Sequence, residues 1–357
     1  MEMKDVEHDS LIDMMQDRDG SMEELSLKKL QDQVIVITGA SSGIGLVTAR
    51  MAAKKGAKVV VAARNENALQ ELVEELQSKG CEAAWVAADV GVEEDIQKIA
   101  DTAIEKFGGF DTWVNNAGVS IYGKTTEVTI KDMRRMFDTV FWGVVYGSRV
   151  AVDHYTKRGT PGAVINIGSF FGDRGTVVQS TYSSAKFALH GWTESLRMEL
   201  EKENAPVSVT LIHPGRIDTP YNEHARSYLD KQPTHIGMIY APETVAEAIL
   251  YSAEHPKRDM YVGGQAKLLA VLGRLAPRFS DKLIEKTLYR TQHDDRPSNP
   301  PEASALYKAG YGLHERGTNK GWIRETSYYV KATKHPVLSS AIAAGIGASL
   351  WAVFRKR

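Results

Sequence analysis

Residues 34–50 read VIVITGASSGIGLVTAR, and this stretch decides the fold. An apolar, β-branched run over residues 34–38 predicts a buried strand, and a helix pattern begins after the glycine-rich turn. Gly39, Gly43 and Gly45 have the spacing G-x3-G-x-G. Glycine lets the backbone turn sharply and approach a pyrophosphate, whose charge then lies at the N-terminus of the helix. The stretch therefore predicts a dinucleotide-binding turn. The alternative is a glycine turn that only connects the strand to the helix and binds no ligand.

The same alternation of strand and helix patterns continues from residue 31 to about residue 264. Short apolar runs predict strands at residues 34–38, 58–63, 83–88, 111–118, 163–168, 207–212 and 260–264. Longer helical patterns such as NALQELVEELQSKG separate them. Continuous apolar strands that alternate with helices indicate a parallel sheet covered on both faces. We therefore predict an α/β fold with a doubly wound parallel sheet of about seven strands, the Rossmann fold.

The composition is that of a globular protein in a reducing compartment. The chain has 357 residues, of which 43% are hydrophobic and 25% charged, which is ample for a sizeable core. Its net charge of -1 provides no global attraction to nucleic acid. The single cysteine, Cys81, excludes an internal disulfide, and no His/Cys cluster has metal-ligand spacing, so we predict no metal site. The N-terminus lacks a secretory signal, which favours a cytoplasmic location.

Changes in composition divide the chain into four segments. Residues 1–30 hold nine acidic and four basic residues and predict a mobile or loosely helical acidic extension, with a role in dimer contacts as the less favoured alternative. Residues 31–264 form the predicted Rossmann domain. Residues 265–335 hold thirteen Lys/Arg and seven Asp/Glu and predict a helical pair followed by an irregular arm. Residues 336–357 form an apolar C-terminal segment.

The C-terminal segment predicts a membrane anchor. From Val337 to Phe354, eighteen residues without a charge precede a basic end. A spanning helix needs about 20 apolar residues, with a range of roughly 17–25. Trp351 suits an interface, and the basic end suits anionic head groups. The alternative is a soluble helix that covers an oligomer interface, and we also expect the protein to form a homo-oligomer.

The end of the second predicted strand bears on the choice of coenzyme. A protein that binds NAD usually has an acidic residue here, which holds the adenine ribose hydroxyls. This chain has Ala63 followed by Arg64. A guanidinium suits a 2′-phosphate by its charge and its forked geometry. We therefore predict NADP (NADPH) as the cofactor and Arg64 as a ligand of the phosphate. The alternative is that Arg64 is a solvated residue at the start of the next helix.

Several motifs occur together and in order: TGASSGIG, Ala88-Asp89-Val90, NNAG at residues 115–118, Ser169, Tyr182-x3-Lys186 and the Pro214-Gly215 turn. With these motifs the chain resembles the short-chain dehydrogenase/reductase family over about residues 31–264, as an NADP-preferring type with a C-terminal extension. The resemblance implies that Asp89 and Val90 lie around the adenine.

The resemblance also implies that Asn115, Ala117 and Gly118 shape the carboxyl edge of the sheet beside the cofactor. Ile217 and Thr219 would contact the nicotinamide carboxamide. The predicted cofactor-binding residues are Gly39, Ser41, Ser42, Gly43, Ile44, Gly45, Arg64, Asp89, Val90, Asn116, Ala117, Gly118, Tyr182, Lys186, Pro214, Gly215, Ile217 and Thr219.

The predicted catalytic residues are Ser169, Tyr182 and Lys186. Tyr182 and Lys186 stand four residues apart and share one helix face, and Ser169 follows a predicted strand at the edge where such sheets bind ligands. Tyrosine has a pKa of about 10, which a lysine ammonium and an oxidised nicotinamide would lower. The family roles are proton exchange with the substrate oxygen by Tyr182, a hydrogen bond to that oxygen from Ser169, and a contact to the nicotinamide ribose from Lys186.

One position departs from the family pattern. The family usually has an asparagine that holds a relay water in a run like VN-x-x-G, where this chain has Val140. Valine neither donates nor accepts a hydrogen bond, so the relay uses another contact, runs more slowly, or catalysis is lost. Asn166 lies near Ser169 in the sequence, but nothing in the sequence shows that it substitutes. A non-catalytic NADP-binding sensor or scaffold is therefore the alternative to an enzyme.

The segment between Gly215 and Ala241 is long enough for a substrate lid. It lacks a clear basic cluster, so a lipophilic alcohol or ketone suits it better than a sugar phosphate. We predict an NADP(H)-dependent carbonyl reductase or alcohol dehydrogenase, with no nucleic-acid partner. The glycine spacing disfavours a sugar epimerase of the extended family. The residues predicted to form an apolar pocket are Phe170, Phe171, Tyr221, Tyr228, Ile236, Met238 and Ile239.

Overall fold

The computed structural model describes residues 25–264, 271–273 and 275–335. The strands among these residues are β1 (Val34–Thr38), β2 (Lys58–Ala63), β3 (Ala83–Ala87), β4 (Thr112–Asn115), β5 (Ile121–Tyr122), β6 (Gly162–Ile167), β7 (Val207–Pro214), β8 (Arg226–Ser227), β9 (Lys231–Pro233), β10 (Met238–Tyr240), β11 (Asp259–Val262), β12 (His293–Pro297) and β13 (Trp322–Arg324). Seven of them form one parallel sheet in the order β3-β2-β1-β4-β6-β7-β11.

Helices connect the strands and cover the sheet. They are α1 (Gly43–Lys54), α2 (Glu66–Ser78), α3 (Glu93–Phe107), α4 (Ile130–Phe137), α5 (Gly143–Arg158), α6 (Ser180–Lys202), α7 (Tyr221–His224), α8 (Pro242–Glu254), α9 (Pro277–Thr287) and α10 (Tyr328–Lys334). A π-helical turn, Asp138–Trp142, joins α4 to α5.

Strand β1 shows why the chain folds into layers. Every residue of β1 is buried, because alternate side chains point to opposite faces of the sheet and both faces are covered. Ile35 and Ile37 belong to the core under α1, α2 and α8. Val34 and Val36 belong to the core under α3 and α5. The predicted doubly wound Rossmann fold is confirmed, and its seven predicted strands lie within a few residues of the observed ones.

The C-terminal extension is more ordered than the sequence predicts. Strands β12 and β13 lie within the stretch predicted as an irregular arm, and they pair with strands of the segment between Gly215 and Ala241. The pairs are β9 with β12, antiparallel, and β10 with β13, parallel. Helix α10 then packs on the main core through Val330, which is 1% exposed. Only α9 of the predicted helical pair falls within the fully described part of this extension.

Both chain ends extend beyond the described residues. The acidic extension is described only from residue 25, and its Leu30 is buried, with its N–H donating to Glu254 Oε1 at 3.1 Å. The predicted membrane anchor, residues 336–357, lies outside the described residues. None of the helices that the structure describes has the length and apolar character needed to cross a bilayer.

Candidate active site

The glycine loop lies between β1 and α1, as predicted. Gly39 and Gly43 have φ values of +66° and +54°, which residues with a side chain rarely adopt. A Cβ on Gly45 would lie 2.3 Å from the carbonyl oxygen of Gly39, and a Cβ on Gly39 would lie 2.7 Å from Ala117 Cα. This close packing holds the loop against the chain that follows β4. It leaves the N-terminus of α1 beside an open cleft, an arrangement that fits a pyrophosphate.

One cleft of about 230 Å³ gathers the predicted residues. Every predicted coenzyme-binding and catalytic residue lines it except Gly45, which lies under the loop. Asn115 does not line the cleft either. Its side chain donates to Asn166 Oδ1 at 2.9 Å and to Ser148 Oγ at 3.0 Å, so it joins β4, β6 and α5 below the cleft. The cleft lies along the carboxyl ends of the strands, where this fold binds dinucleotides.

Arg64 stands at the end of the cleft beside β2. Its guanidinium donates to the carbonyl oxygens of Ala305 at 2.5 Å and Leu306 at 3.3 Å, both in the C-terminal extension. Burial lowers the pKa of Arg64. Asp89, predicted to lie at the adenine, forms an ion pair with Arg135, which also donates to the carbonyl of Leu306 at 3.1 Å. Arg64 is therefore a partly buried part of the cleft wall, held by the C-terminal extension.

Ser169, Tyr182 and Lys186 meet at the other end of the cleft. Ser169 follows β6, and the other two lie one turn apart on α6. The side chains of Tyr182 and Ser169 both line this end of the cleft, and the Ser169 hydroxyl accepts from the N–H of Phe171 at 3.1 Å. Lys186 Nζ donates to the carbonyl of Ile167 at 2.6 Å and lies 5.7 Å from the centroid of the Tyr182 ring. All three side chains are more than nine-tenths buried.

Burial sets the protonation of this centre. It raises the pKa of Tyr182, and the nearby hydroxyls of Ser169 and Tyr221 only partly offset this rise. It lowers the pKa of Lys186 to about 7. Tyr182 is thus a neutral phenol at neutral pH, and its O–H is a proton donor. A bound cation would stabilise the phenolate, so the same group can also serve as a base.

The comparison with known families agrees with this geometry. A family model for the short chain dehydrogenase matches residues 33–230, more than half of the chain. The chain belongs to the short-chain dehydrogenase/reductase family. This membership shows an oxidoreductase of the short-chain type, which takes a nicotinamide coenzyme.

Relatives of this short-chain enzyme cover different shares of it. It is 71% identical over 333 residues to the uncharacterized oxidoreductase YxnA of Bacillus subtilis (strain 168), which covers 93% of each chain. A short-chain dehydrogenase/reductase from Burkholderia phymatum, solved with NAD, shares the fold at 24% identity and a TM-score of 0.64, covering 71% of this chain and 97% of that one. An alcohol dehydrogenase from Thermococcus sibiricus, solved with 5-hydroxy-NADP, does so at 24% identity and a TM-score of 0.56, covering 64% and 95%.

A buried histidine cluster behind Ser169 was not predicted. His190 follows Tyr182 and Lys186 on the same face of α6, and its Nε2 accepts from the N–H of Ser169 at 3.3 Å. Its Nδ1 faces Asp173 Oδ1 at 3.3 Å. The loop of Ser169 encloses the ring closely, because a Cβ on Gly168 or Gly172 would lie 2.4 or 2.5 Å from it. Burial lowers the pKa of His190, so the ring is neutral and fixes the position of the loop.

The cluster continues to the protein surface. His213 contacts Asp173 Oδ2 through Nδ1 at 3.0 Å and Asp259 Oδ1 through Nε2 at 3.2 Å. Burial alone would lower the pKa of His213, but the two carboxylates outweigh it and raise the pKa. The ligand atoms of Asp173, His190 and His213 lie within 4.8 Å of one another, close enough for a metal ion. Hydrogen bonds account for both nitrogens of each ring, so the cluster is explained without one.

The position of the usual relay asparagine is apolar, as the sequence predicts. Val140 lies in the π-helical turn and is fully buried in a cluster with Phe170, Phe171 and Tyr182. Asn166 does not replace it, because its amide donates to Thr193 Oγ1 at 3.1 Å and its oxygen accepts from Asn115. Thr139 does line the cleft, and its buried hydroxyl has no partner among the described residues. A polar group is therefore present one residue away.

The segment between Gly215 and Ala241 covers the catalytic end, as expected of a lid. Of its predicted pocket residues, Tyr221 lines the cleft beside Phe170 and Phe171, with its ring 5.6 Å from that of Tyr182. Tyr228 instead donates to Asp132 Oδ2 at 2.6 Å, and Ile236, Met238 and Ile239 do not line the cleft. The lid residues that sequence reasoning missed are Arg216, Pro220, His224 and His235, which do line it.

Proposed function

We propose that this short-chain enzyme is an NADP(H)-dependent oxidoreductase that transfers a hydride between the nicotinamide and a small lipophilic alcohol or ketone. The observation that carries the proposal is that the buried side chains of Ser169, Tyr182 and Lys186 line the same cleft as the glycine loop. When bound, the nicotinamide supplies or accepts the hydride. In reduction, Tyr182 donates its phenolic proton to the carbonyl oxygen while Ser169 hydrogen-bonds that oxygen. In oxidation, the proton returns along the same path.

Arg64 supports the choice of NADP. It lines the cleft next to Ala63, at the place where an NAD-binding protein has a carboxylate. A guanidinium has five N–H groups, and the contacts to Ala305 and Leu306 use two of them. The remaining N–H groups suit a 2′-phosphate. The negative charge of Asp89 nearby is paired with Arg135, which reduces its repulsion of a phosphate.

The catalytic end of the cleft supports an uncharged, lipophilic substrate. Phe170, Phe171 and Tyr221 provide aromatic surface. Burial lowers the pKa of His235 to about 3, so this ring is neutral and offers no charge to an anion. Arg216 is held by the lid, through the carbonyl of Ile236, and by the C-terminal extension, through Thr291 Oγ1. The aromatic surface and the neutral His235 therefore favour an uncharged substrate at this end of the cleft.

The test is a panel of ketones, aldehydes and alcohols assayed with NADPH or NADP⁺, and in parallel with NADH or NAD⁺. We expect turnover of an uncharged lipophilic compound, with NADPH preferred over NADH. Charged sugar phosphates serve as the matched comparison. A protein that binds NADPH but turns over nothing in the panel would favour the sensor or scaffold function instead. Equal affinity for the two coenzymes, or a preference for NADH, would reject the NADP assignment.

A further inference from the structure

The C-terminal extension contributes Ala305, Ala309 and Gly310 to the lining of the cleft. We call residues 305–319 the strap. At one end, Arg64 donates to the carbonyls of Ala305 and Leu306, and Asn65 Nδ2 donates to the carbonyl of Gly310 at 2.8 Å. These contacts lie next to β2, the adenosine end of a dinucleotide site in this fold. The strap therefore begins in contact with Arg64, the residue on which the NADP proposal depends.

The strap is then fastened to the glycine loop by main-chain hydrogen bonds. The N–H of Leu313 donates to the carbonyl of Ser41 at 2.7 Å, and the N–H of Gly43 donates to the carbonyl of His314 at 2.9 Å. Leu313 has a φ of +60°, an unusual value for a branched residue without a glycine's freedom. Such strain persists only where the surroundings hold the backbone in place, and it is often found at ligand clamps.

At the other end, the strap is fastened to the lid. Asn319 Nδ2 donates to Asp218 Oδ1 at 2.8 Å, and its Oδ1 accepts from the N–H of His235 at 3.1 Å. The N–H of Thr318 donates to Glu223 Oε1 at 2.5 Å. The strap thus joins the adenosine end of the cleft, the glycine loop and the substrate lid into one continuous wall.

Glycines let the strap approach the cleft this closely. A Cβ on Gly312 would lie 2.2 Å from Ala68 Cβ, and one on Gly317 would lie 2.3 Å from the carbonyl oxygen of Thr219. The cleft itself stays open, because the strap residues that line it are small: Ala305, Ala309 and Gly310. These strap residues therefore place no large side chain in the lining of the cleft. The strap therefore bounds the cleft without filling it.

From these contacts we infer that the strap is part of the coenzyme site, which it closes over the adenosine half, so that coenzyme enters and leaves only when the strap opens. The inference rests on the proposed coenzyme dependence. The carbonyls of Ala305 and Leu306 also hold Arg64 in the orientation that faces the cleft, so the strap prepares the site for a 2′-phosphate. The nicotinamide chemistry itself needs no strap residue.

The test uses the full-length protein and a pair of substitutions that meet at one contact. Gly312→Ala places a methyl group against Ala68 and lifts the strap, and Ala68→Gly removes the atom it would strike. We compare the wild type, each single substitution and the pair. Gly191→Ala is the matched control, because a Cβ there meets nothing within 4 Å. The readouts are the dissociation rate and Kd of NADPH by fluorescence, and trypsin cleavage at the exposed Lys308, with and without NADPH.

We expect Gly312→Ala to raise both the dissociation rate and the Kd by about tenfold, the change expected when one or two hydrogen bonds are weakened. Ala68→Gly added to it should restore both values, and Gly191→Ala should change neither. NADPH should protect Lys308 from trypsin in the wild type. Unchanged NADPH kinetics in Gly312→Ala, together with faster cleavage, would overturn the inference and leave the proposed function intact. Tighter NADPH binding in that variant would show that the strap obstructs the coenzyme site, which would also overturn the inference. A wild-type protein that binds no coenzyme would overturn both proposals.

Discussion

His190 offers a sharp prediction because its two ring nitrogens do different things. Nε2 accepts from the N–H of Ser169, and Nδ1 faces Asp173. An asparagine side chain reaches about as far as Nδ1, and a glutamine side chain about as far as Nε2. His190→Asn therefore keeps a group beside Asp173 but leaves the buried Ser169 N–H without an acceptor. His190→Gln provides a new acceptor for that N–H. Both replacements are neutral, as the buried imidazole is, so charge is held constant.

The expected cost follows from the lost hydrogen bond. An unsatisfied buried N–H costs about 1–3 kcal/mol, which corresponds to a five- to 150-fold change in rate if it falls on the position of Ser169 in the transition state. We expect kcat/KM with the best substrate of the panel to fall by that factor in His190→Asn and by much less in His190→Gln. The Kd of NADPH should stay within about threefold in both, because Ser169 acts on the substrate oxygen.

The assay is steady-state kinetics at saturating coenzyme, with NADPH fluorescence and thermal unfolding measured on the same preparations. Equal losses in the two variants would refute the reasoning. His190 would then serve only to fill the space between Gly168 and Gly172. A weakened Kd of the same size as the loss in kcat/KM would also refute it, since the damage would then have spread beyond Ser169.

Three further predictions test the centre, the coenzyme and the charge of the cluster. Tyr182→Phe should abolish turnover while NADPH affinity stays nearly unchanged, since only the hydroxyl that moves the proton is removed; retained activity would mean the centre lies elsewhere. Arg64→Met should remove the preference for NADPH over NADH, which we expect to be a ratio of Kd values of about five- to 150-fold for a charge-assisted bond. Any effect of the strap that is common to both coenzymes cancels in this ratio. The raised pKa of His213 adds stability that is complete below its unfolded pKa of about 6.5 and is lost as the pH rises through the folded value. The Tm of the wild type should therefore exceed that of His213→Gln by less at pH 9 than at pH 6. Lys186 acts in the opposite direction, because its lowered pKa favours the folded state as the pH rises. Both proteins contain Lys186, so its contribution cancels in the difference between the two Tm values. An advantage that is constant with pH would mean that His213 does not carry the charge.

The sheet and the catalytic residues could be predicted because their signals are local. A strand buried on both faces reads as an unbroken apolar run, and β1 does so over its whole length. Tyr182 and Lys186 have the four-residue spacing of one helix face. His190 carried the same signal, since it stands four residues beyond Lys186, and the glycines at 168 and 172 hint at a ring held between them.

The strap could not be predicted, for physical reasons. Its carbonyl acceptors belong to the backbone, which every residue has, so no residue type marks Ala305 or Leu306 as a partner of Arg64 some 240 residues earlier. The lid shows a related limit. Tyr228 and Ile239 are apolar enough for a substrate pocket, but one bonds Asp132 and the other is fully buried in the protein core. Composition shows that a side chain prefers burial without showing which surface buries it.

The pairing of β10 with β13 has a consequence for the order in which parts of the protein fold during synthesis. Strands β10 and β13 lie roughly 80 residues apart in the chain, and strands β9 and β12 lie roughly 60 residues apart. The parallel sheet up to β11 can assemble as soon as its strands have been made, whereas the edges of the lid strands stay without partners until the extension has been synthesised. Closing such long loops is slow, and unpaired strand edges are the sites where chains pair with one another instead. These edges are therefore covered only late in the synthesis of the chain, and a chain cut short after β11 is expected to aggregate through its lid while keeping its sheet.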